Sequence, residues 1–346
     1  MRAFASDNYS GAHPDVLAAV VACNADHATA YGADPWTARA QELLRAQFGE
    51  QAWCFLVFNG SAANVLCFRA MCRAWESVVC AATAHVNVDE AGAPERIAGV
   101  KLQAVATPDG KLTPALVEAQ IGRTGDEHAV QQRVVSVSQS TELGTVYSAE
   151  ELKALADCAH AHGLLLHVDG ARLSNAAAAL GVSLRTLATD AGVDALSFGG
   201  TKNGLLLGEA VIILRPELAD GLPHLRKQTL QLASKGRFLA AQFIALLEDD
   251  LWRRNAAHAN AMAARLAQAL ADVPGVHMTQ PAQANALFAV LPVEVTRELQ
   301  REWHFHMWNE TAGEVRLMCS WDTTAEEVDA FASAVAGACR TAAVGN

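Results

Sequence analysis

The sequence predicts an α/β fold: a mostly parallel seven-stranded sheet with helices on both faces, followed by a smaller α+β C-terminal domain. Two observations carry this. From about Trp53, short apolar runs alternate with stretches whose apolar residues recur at spacings of three and four, as expected for strands covered by helices. After Leu230 the pattern changes to long helical stretches and then to a second, shorter set of strands.

The expected strands of the large sheet are Trp53 to Phe58, Ser77 to Ala82, Val100 to Ala106, Arg133 to Ser138, Leu164 to Val168, Ala195 to Phe198 and Ala210 to Leu214. Such runs suit strands buried on both faces. Between them, Ala62 to Trp75, Pro114 to Ile121, Ala149 to His162 and Ala171 to Leu180 carry helical periodicity. Two long helices are expected next, Leu239 to Arg254 and His258 to Ala271, the second stopped by Pro274-Gly275. The smaller domain then has strands at Ala286 to Leu291, His304 to Trp308 and Val315 to Cys319, with helices at Val293 to Arg301 and Ala325 to Arg340. The resulting division is a large domain over 13–250 and a small one over 251–346.

With 346 residues, 51% of them hydrophobic, the chain can bury a large core. A formal net charge of -11, with no long Lys/Arg run, disfavours nucleic-acid phosphates and anionic lipid as partners and leaves a small molecule. The start, Met1 to Asn8, has no continuous apolar signal segment, and Leu239 to Leu247 is too short to span a bilayer, so the expected location is cytoplasmic. The cysteines at 23, 54, 67, 72, 80, 158, 319 and 339 form no C-x-x-C pair and read as reduced core residues.

Chemistry concentrates at strand ends. Lys202 lies in the glycine-rich turn Ser197-Phe198-Gly199-Gly200-Thr201-Lys202-Asn203-Gly204, and Asp169 ends the strand of Leu166-His167-Val168-Asp169. A lysine so placed can form a Schiff base with an aldehyde cofactor, and an aspartate at another strand end can keep a pyridine nitrogen protonated; together they point to pyridoxal phosphate. Asn59-Gly60-Ser61 follows a strand and opens a helix, so its N–H groups, the Ser61 hydroxyl and the helix dipole can hold a phosphate; alone it would be ordinary turn chemistry. His85 follows the second strand, where it can stack on a cofactor ring or serve as a hydrogen-bonded loop histidine. Arg172, three residues after Asp169, offers a guanidinium for a carboxylate or the cofactor's phenolic oxygen. Arg316 alternates with apolar neighbours on a strand; facing inward it needs an anion, facing outward only solvent.

Other arrangements carry less. His304 and His306 share one strand face without a carboxylate or cysteine cluster at ligand spacing, so no metal site is expected. The run Gly199 to Gly204 lacks P-loop order, and neither Ser174 nor Ser197 has nucleophile-elbow context.

Taken together, the segments Phe4-Ala5-Ser6-Asp7-Asn8-Tyr9, Ala30-Tyr31-Gly32, Phe58 to Asn64, Ala84-His85, His167 to Arg172, Phe198 to Gly204 and Met318 to Asp322 resemble the L-threonine aldolases, fold-type-I pyridoxal phosphate enzymes of the β-eliminating lyase group. The resemblance runs through nearly the whole chain. It implies that Lys202 forms the Schiff base with Thr201 beside it, that Asp169 pairs with the pyridine nitrogen, and that His85 stacks on the ring. It also implies that Asn59, Gly60 and Ser61 hold the phosphate and that Arg172 contacts cofactor or substrate. Ser6 and Arg316 match positions that grip the substrate carboxylate, which makes residues 1–12 an N-terminal segment contributing to the site. Tyr31, toward substrate, and Lys235, toward cofactor, lie in segments that reach a neighbouring subunit's site in a dimer or, usually, a tetramer.

Two stretches depart from the pattern of many members. Thr201-Lys202-Asn203 stands where Ser-Lys-Gly is common, and Glu142, in Ser140-Thr141-Glu142-Leu143-Gly144, stands near the place of a loop histidine. The chain is similar to a branch that accepts threonine or phenylserine. The expected reaction is retro-aldol cleavage of an L-β-hydroxy-α-amino acid to glycine and an aldehyde. His85, or a water held by His85 and Glu142, is the expected base. The same scaffold also suits β-elimination, racemisation or transamination, and a non-catalytic binding module would leave the combined arrangement unexplained.

Overall fold

The computed structural model describes residues 2–344. The first strand, β1 (Arg2–Ala3), precedes α1 (Pro14–Ala22) and α2 (Pro35–Phe48). Both helices begin with proline at the first position after a capping side chain: His13 takes the Asp15 N–H, and Asp34 takes the Thr37 N–H at 2.8 Å. The large sheet then forms from β2 (Trp53–Val57), β3 (Glu76–Ala81), β4 (Lys101–Val105), β5 (Gln131–Ser138), β6 (Leu165–Gly170), β7 (Ala195–Gly199) and β8 (Glu209–Ile213). Between these strands run α3 (Gly60–Met71), the single turn α4 (His85–Val88), α5 (Pro114–Glu118), α6 (Ala149–Ala161) and α7 (Leu173–Leu180). The strand order is β2-β8-β7-β6-β5-β3-β4, and only β8 runs against the rest. All seven expected strands are present, with ends shifted by a few residues.

Period-two alternation divides the sheet's side chains between two apolar layers. Leu166 and Val168 of β6 join the layer with Phe48, Leu152 and Phe243, whereas Leu165 joins the layer under α3 with Phe68 and Val211. Asp169 shares the parity of Leu165 and His167, so it faces α3.

Beyond the sheet come α8 (Leu222–Gln228), α9 (Arg237–Leu247) and α10 (Leu251–Leu270). The break between the two long helices falls at Glu248–Asp250, not between Arg254 and His258 as the sequence predicts. Asp249 and Asp250 adopt φ of 52° and 54°. Three acidic residues oppose the negative end of α9, and aspartate tolerates the left-handed region better than most side chains. Asn255, a weak helix former, instead stays helical and spends its side chain on the Asn203 carbonyl at 2.9 Å.

The smaller sheet has the order β12-β13-β10-β9, with β9 (His277–Met278), β10 (Ala286–Val290), β12 (His306–Asn309) and β13 (Glu314–Met318) all antiparallel. It packs with α11 (Val293–Leu299) and α12 (Ala325–Val344) around Phe331 and Leu317. The expected strand from His304 to Trp308 is split. Phe305 is buried in that core, so the preceding residues, β11 (Trp303–His304), leave the small sheet and pair in parallel with β1.

Two contacts set the large domain's working edge. β6 and β7 approach so closely that an added Cβ on Gly199 would collide with the Ala171 backbone, and one on Gly170 with the Ser197 carbonyl. The N-terminal segment is held by Asp7, which is buried and accepts from Arg172 Nε at 2.7 Å, Arg172 Nη2 at 2.8 Å and Asn285 Nδ2 at 3.1 Å. Burial alone would raise the Asp7 carboxyl; the Arg172 guanidinium, with Lys202 and Asn285, outweighs it and holds the group below the usual carboxylate range.

Gly199→Ala should therefore cost about 1–3 kcal/mol in urea unfolding through overpacking at the β6–β7 edge. Asp7→Asn should cost about 3 kcal/mol at neutral pH, since it leaves a buried guanidinium without its counter-charge. Because the folded Asp7 titrates below its unfolded value, its contribution is present at neutral pH and lost as pH falls through the acid range. The gap between wild type and Asp7→Asn should accordingly narrow in unfolding curves taken at acid pH.

Candidate active site

The strands β2, β3, β5, β6 and β7 end on one edge of the sheet, where β8 begins. A cleft of about 410 Å³ opens there and is lined by residues from these strand ends together with Ser6 and Arg316. It is the crevice at the carboxyl ends of strands where α/β folds collect ligands.

Asp169, at the end of β6, is buried and points at α3. Its Oδ2 accepts from Asn64 Nδ2 at 2.8 Å, and its Oδ1 from the Ala171 N–H at 3.0 Å and Ser197 Oγ at 3.4 Å. Burial opposes ionisation, but the Lys202 charge and these donors prevail, so the carboxyl sits below its ordinary range and is ionised. Beneath it on the same strand face, His167 is fully buried against Phe68, with Nδ1 2.9 Å from Ser136 Oγ; burial pulls it down to about 4, so it is neutral.

Lys202 lies across the cleft on a 3₁₀ turn, Thr201–Asn203, closed by Gly204 at φ 103°. The turn is clamped from both sides. Asn203 Nδ2 donates to the Trp252 carbonyl at 2.9 Å, Asn255 returns a bond to the Asn203 carbonyl, and Thr201 Oγ1 accepts the Gly208 N–H at 3.0 Å. Burial, then the nearby Arg172 charge, lowers the Lys202 pKa, which raises the fraction of free amine. Glu209, which opens β8 and takes the Gly200 N–H at 2.9 Å, is pushed by burial up to about 7.

His85 opens the turn α4. Its Nδ1 is 2.9 Å from Glu90 Oε1, and its backbone N–H donates to Glu142 Oε1 at 2.9 Å. The Glu90 bond raises the imidazole pKa against burial and Lys202. Glu142 also accepts from Ser138 Oγ at 2.6 Å, while its Oε2 is buried with no partner among the described residues. Burial pushes its carboxyl up, against those two donors.

Arg316 faces the cleft from β13. One nitrogen, Nη2, donates to the Ala5 carbonyl at 3.1 Å, the guanidinium lies 5.1 Å from the centre of the Trp308 ring, and Nε is buried without a partner among the described residues. Arg172 also lines the cleft, but its fork is occupied by Asp7, which makes it a charge in the wall more than a free anion clamp. Ser6 caps the turn Asp7–Tyr9, its Oγ accepting the Asn8 N–H at 3.2 Å.

At the start of α3, the Asn59 side chain takes the Ala62 N–H at 2.9 Å and the Asn59 carbonyl takes the Ala63 N–H at 3.2 Å. The Gly60 and Ser61 N–H groups have no partner among the described residues, and both residues line the cleft. Free N–H groups at a helix N-terminus are, by geometry and dipole, able to receive an anion.

The cleft thus gathers Ser6, Asn59, Gly60, Ser61, His85, Glu142, Asp169, Arg172, Thr201, Lys202 and Arg316. Tyr31 and Lys235 do not join them. Both are exposed; Tyr31, at φ 60°, bonds the Ser234 carbonyl through its N–H and lies under Lys227 Nζ, 5.1 Å from its ring centre. Within one chain they are surface residues. Asn64, Glu90, Asp7 and Glu209 escaped the sequence reading. Asn64 and Asp7 sit inside quoted segments, but nothing in their spacing shows that they meet Asp169 and Arg172.

A family model described as Beta-eliminating lyase matches residues 3–292. The chain is 47% identical over 327 residues to a low specificity L-threonine aldolase of Pseudomonas aeruginosa, covering 94% of each chain. It is 44% identical to one from a Pseudomonas species, covering 95% of this chain and 96% of that one. Among solved structures, a Leishmania major threonine aldolase superposes with a TM-score of 0.93 at 31% identity, over 98% of this chain and 100% of that one. Agreement over nearly the full length in both sequence and backbone makes this chain a member of the beta-eliminating lyase family.

Proposed function

We propose that this protein is a pyridoxal phosphate-dependent lyase that cleaves L-β-hydroxy-α-amino acids, threonine and allo-threonine first among them, to glycine and an aldehyde. The carrying observation is the convergence of a lysine with a lowered pKa, an ionised buried aspartate and an open helix N-terminus on one cleft. The relatives named for threonine cleavage support the substrate class.

The donor set fits the cofactor. Lys202 would hold its aldehyde carbon, Asp169 its ring nitrogen, His85 its ring face, and Asn59, Gly60, Ser61 and Thr201 its phosphate. When bound, pyridoxal phosphate supplies an electron sink for the pair released as the Cα–Cβ bond breaks. The chain's own residues do the rest. Arg316, with an unpartnered Nε, and Ser6 bind the substrate carboxylate, and this hold sets the Cα–Cβ bond in the orientation that breaks. His85, or a water between His85 and Glu142, takes the β-hydroxyl proton. Asp169, kept ionised by Lys202 and Asn64, would keep the cofactor's ring nitrogen protonated.

Tyr31 and Lys235, exposed on one chain, act in a neighbouring subunit's cleft in a homodimer or tetramer. The cysteines are free among the described residues, which suits a cytoplasmic setting. No helix is long and apolar enough to cross a membrane among the described residues.

The purified protein, supplied with pyridoxal phosphate, should convert L-threonine, L-allo-threonine or L-threo-phenylserine to equal amounts of glycine and aldehyde by proton NMR. Formation of 2-oxo acids and ammonia would instead identify an eliminating enzyme. Lys202→Ala should abolish turnover together with the cofactor's yellow colour; normal activity in that variant would sink the assignment. Arg316→Lys should raise KM for threonine about tenfold or more while affecting kcat less, since a lysine cannot reproduce the guanidinium fork.

A further inference from the structure

The network behind His85 carries a further assignment, which rests on the reading of His85 as a group that meets cofactor and substrate. Glu90 Oε1 lies 2.9 Å from His85 Nδ1 and 2.9 Å from Asn64 Nδ2, and the same Asn64 nitrogen lies 2.8 Å from Asp169 Oδ2. An amide nitrogen has two hydrogens and accepts none, so Asn64 donates one to each carboxylate. The flipped amide would set its carbonyl oxygen against two carboxylates, so charge fixes its orientation. Glu90 Oε1 is therefore already an acceptor, and its contact with His85 is Nδ1–H donating to oxygen. In the neutral ring, Nε2 is then the nitrogen without a proton.

We propose that Glu90 is a positioning residue that fixes His85 in its Nδ1–H tautomer, leaving Nε2 as the proton acceptor of the site. Asn64 extends this pair to Asp169, so one relay, His85–Glu90–Asn64–Asp169, buried from Glu90 inward, orients the base and the ring-nitrogen partner together. The ligand atoms of His85, Glu90 and Asp169 lie within 4.8 Å of one another, close enough for a cation. The Asn64 amide instead presents hydrogens to both carboxylates from the middle of that cluster. The side chain of Glu90 is fully buried and its Oε2 has no partner among the described residues, so its hydrogen bonds run through Oε1 alone, to His85 directly and to Asp169 by way of Asn64.

The charged groups facing His85 are Glu90 on its own loop, Glu142 after β5, Asp169 on β6 and Lys202 after β7. Glu90 contributes most to the raised imidazole pKa, so the acid limb of kcat/KM, where His85 gains its proton, should move when Glu90 loses its charge. In the holoenzyme, Glu90→Gln should retain the bound cofactor's colour, lose about ten- to a hundredfold in kcat/KM, and shift that limb about one unit toward lower pH. Glu90→Asp keeps the charge and should keep the limb in place while losing rate. In a His85→Gln background, Glu90→Gln should cost less than about threefold, because the larger part of its effect runs through His85 and only the smaller part through Asn64. An unmoved limb, or an equal loss in the His85→Gln background, would overturn the assignment.

A readout independent of turnover is the ¹⁵N spectrum of histidine-labelled protein above the His85 pKa, with the His85 signals assigned by their loss in His85→Gln. An Nδ1–H pattern is expected, and an Nε2–H pattern refutes the proposal even if no tested amino acid is cleaved. Failure of the reaction itself would show in the wild-type holoenzyme and leaves this spectrum to be judged separately.

Discussion

The close approach of β6 and β7 is the constraint from which the rest of the site follows. With no side chain at Gly199, the turn after β7 lies against the Ala171 backbone at the end of β6. A sheet edge normally separates adjacent loops by side-chain bulk; here it brings the carboxylate of Asp169 and the amine of Lys202 to one cleft. The clamp between Asn203 and α10 then stops the lysine turn from relaxing away.

Electrostatics complete what packing begins. Burying Lys202, Asp169, Asp7 and Arg172 together would be prohibitive for any one of them alone, and each is held by the charge of the others. The arrangement separates roles by environment. Asp169, with three donors and a lysine near it, stays ionised, whereas for Glu142 and Glu209 burial outweighs the donors around them and pushes both toward the neutral form. Arg316 keeps an open nitrogen because its neighbours are a carbonyl and an aromatic face in place of a carboxylate.

Where sequence and structure part, the reason is local geometry that composition does not encode. The break before α10 is made by Asp249 and Asp250 in the left-handed region, with no glycine or proline to mark it. The expected strand over His304 to Trp308 divides because Phe305 finds a place in the small domain's core, a choice that depends on Phe331 almost thirty residues later. Arg172 reads as a free anion binder until Asp7, from the far end of the chain, is seen to occupy it.

By itself the sequence determined the elements and the chemistry. Alternating apolar runs specify buried parallel strands, and glycine-rich and acidic strand ends mark Lys202, Asp169 and Asn59 to Ser61 as the candidate positions for chemistry, because those signals are local in the chain. Only the tertiary structure decided which residues serve them. Asn64, Glu90 and Asp7 reach Asp169, His85 and Arg172 through hydrogen bonds that span as many as 165 positions, and such pairings exist only once the sheet has set its strand ends side by side.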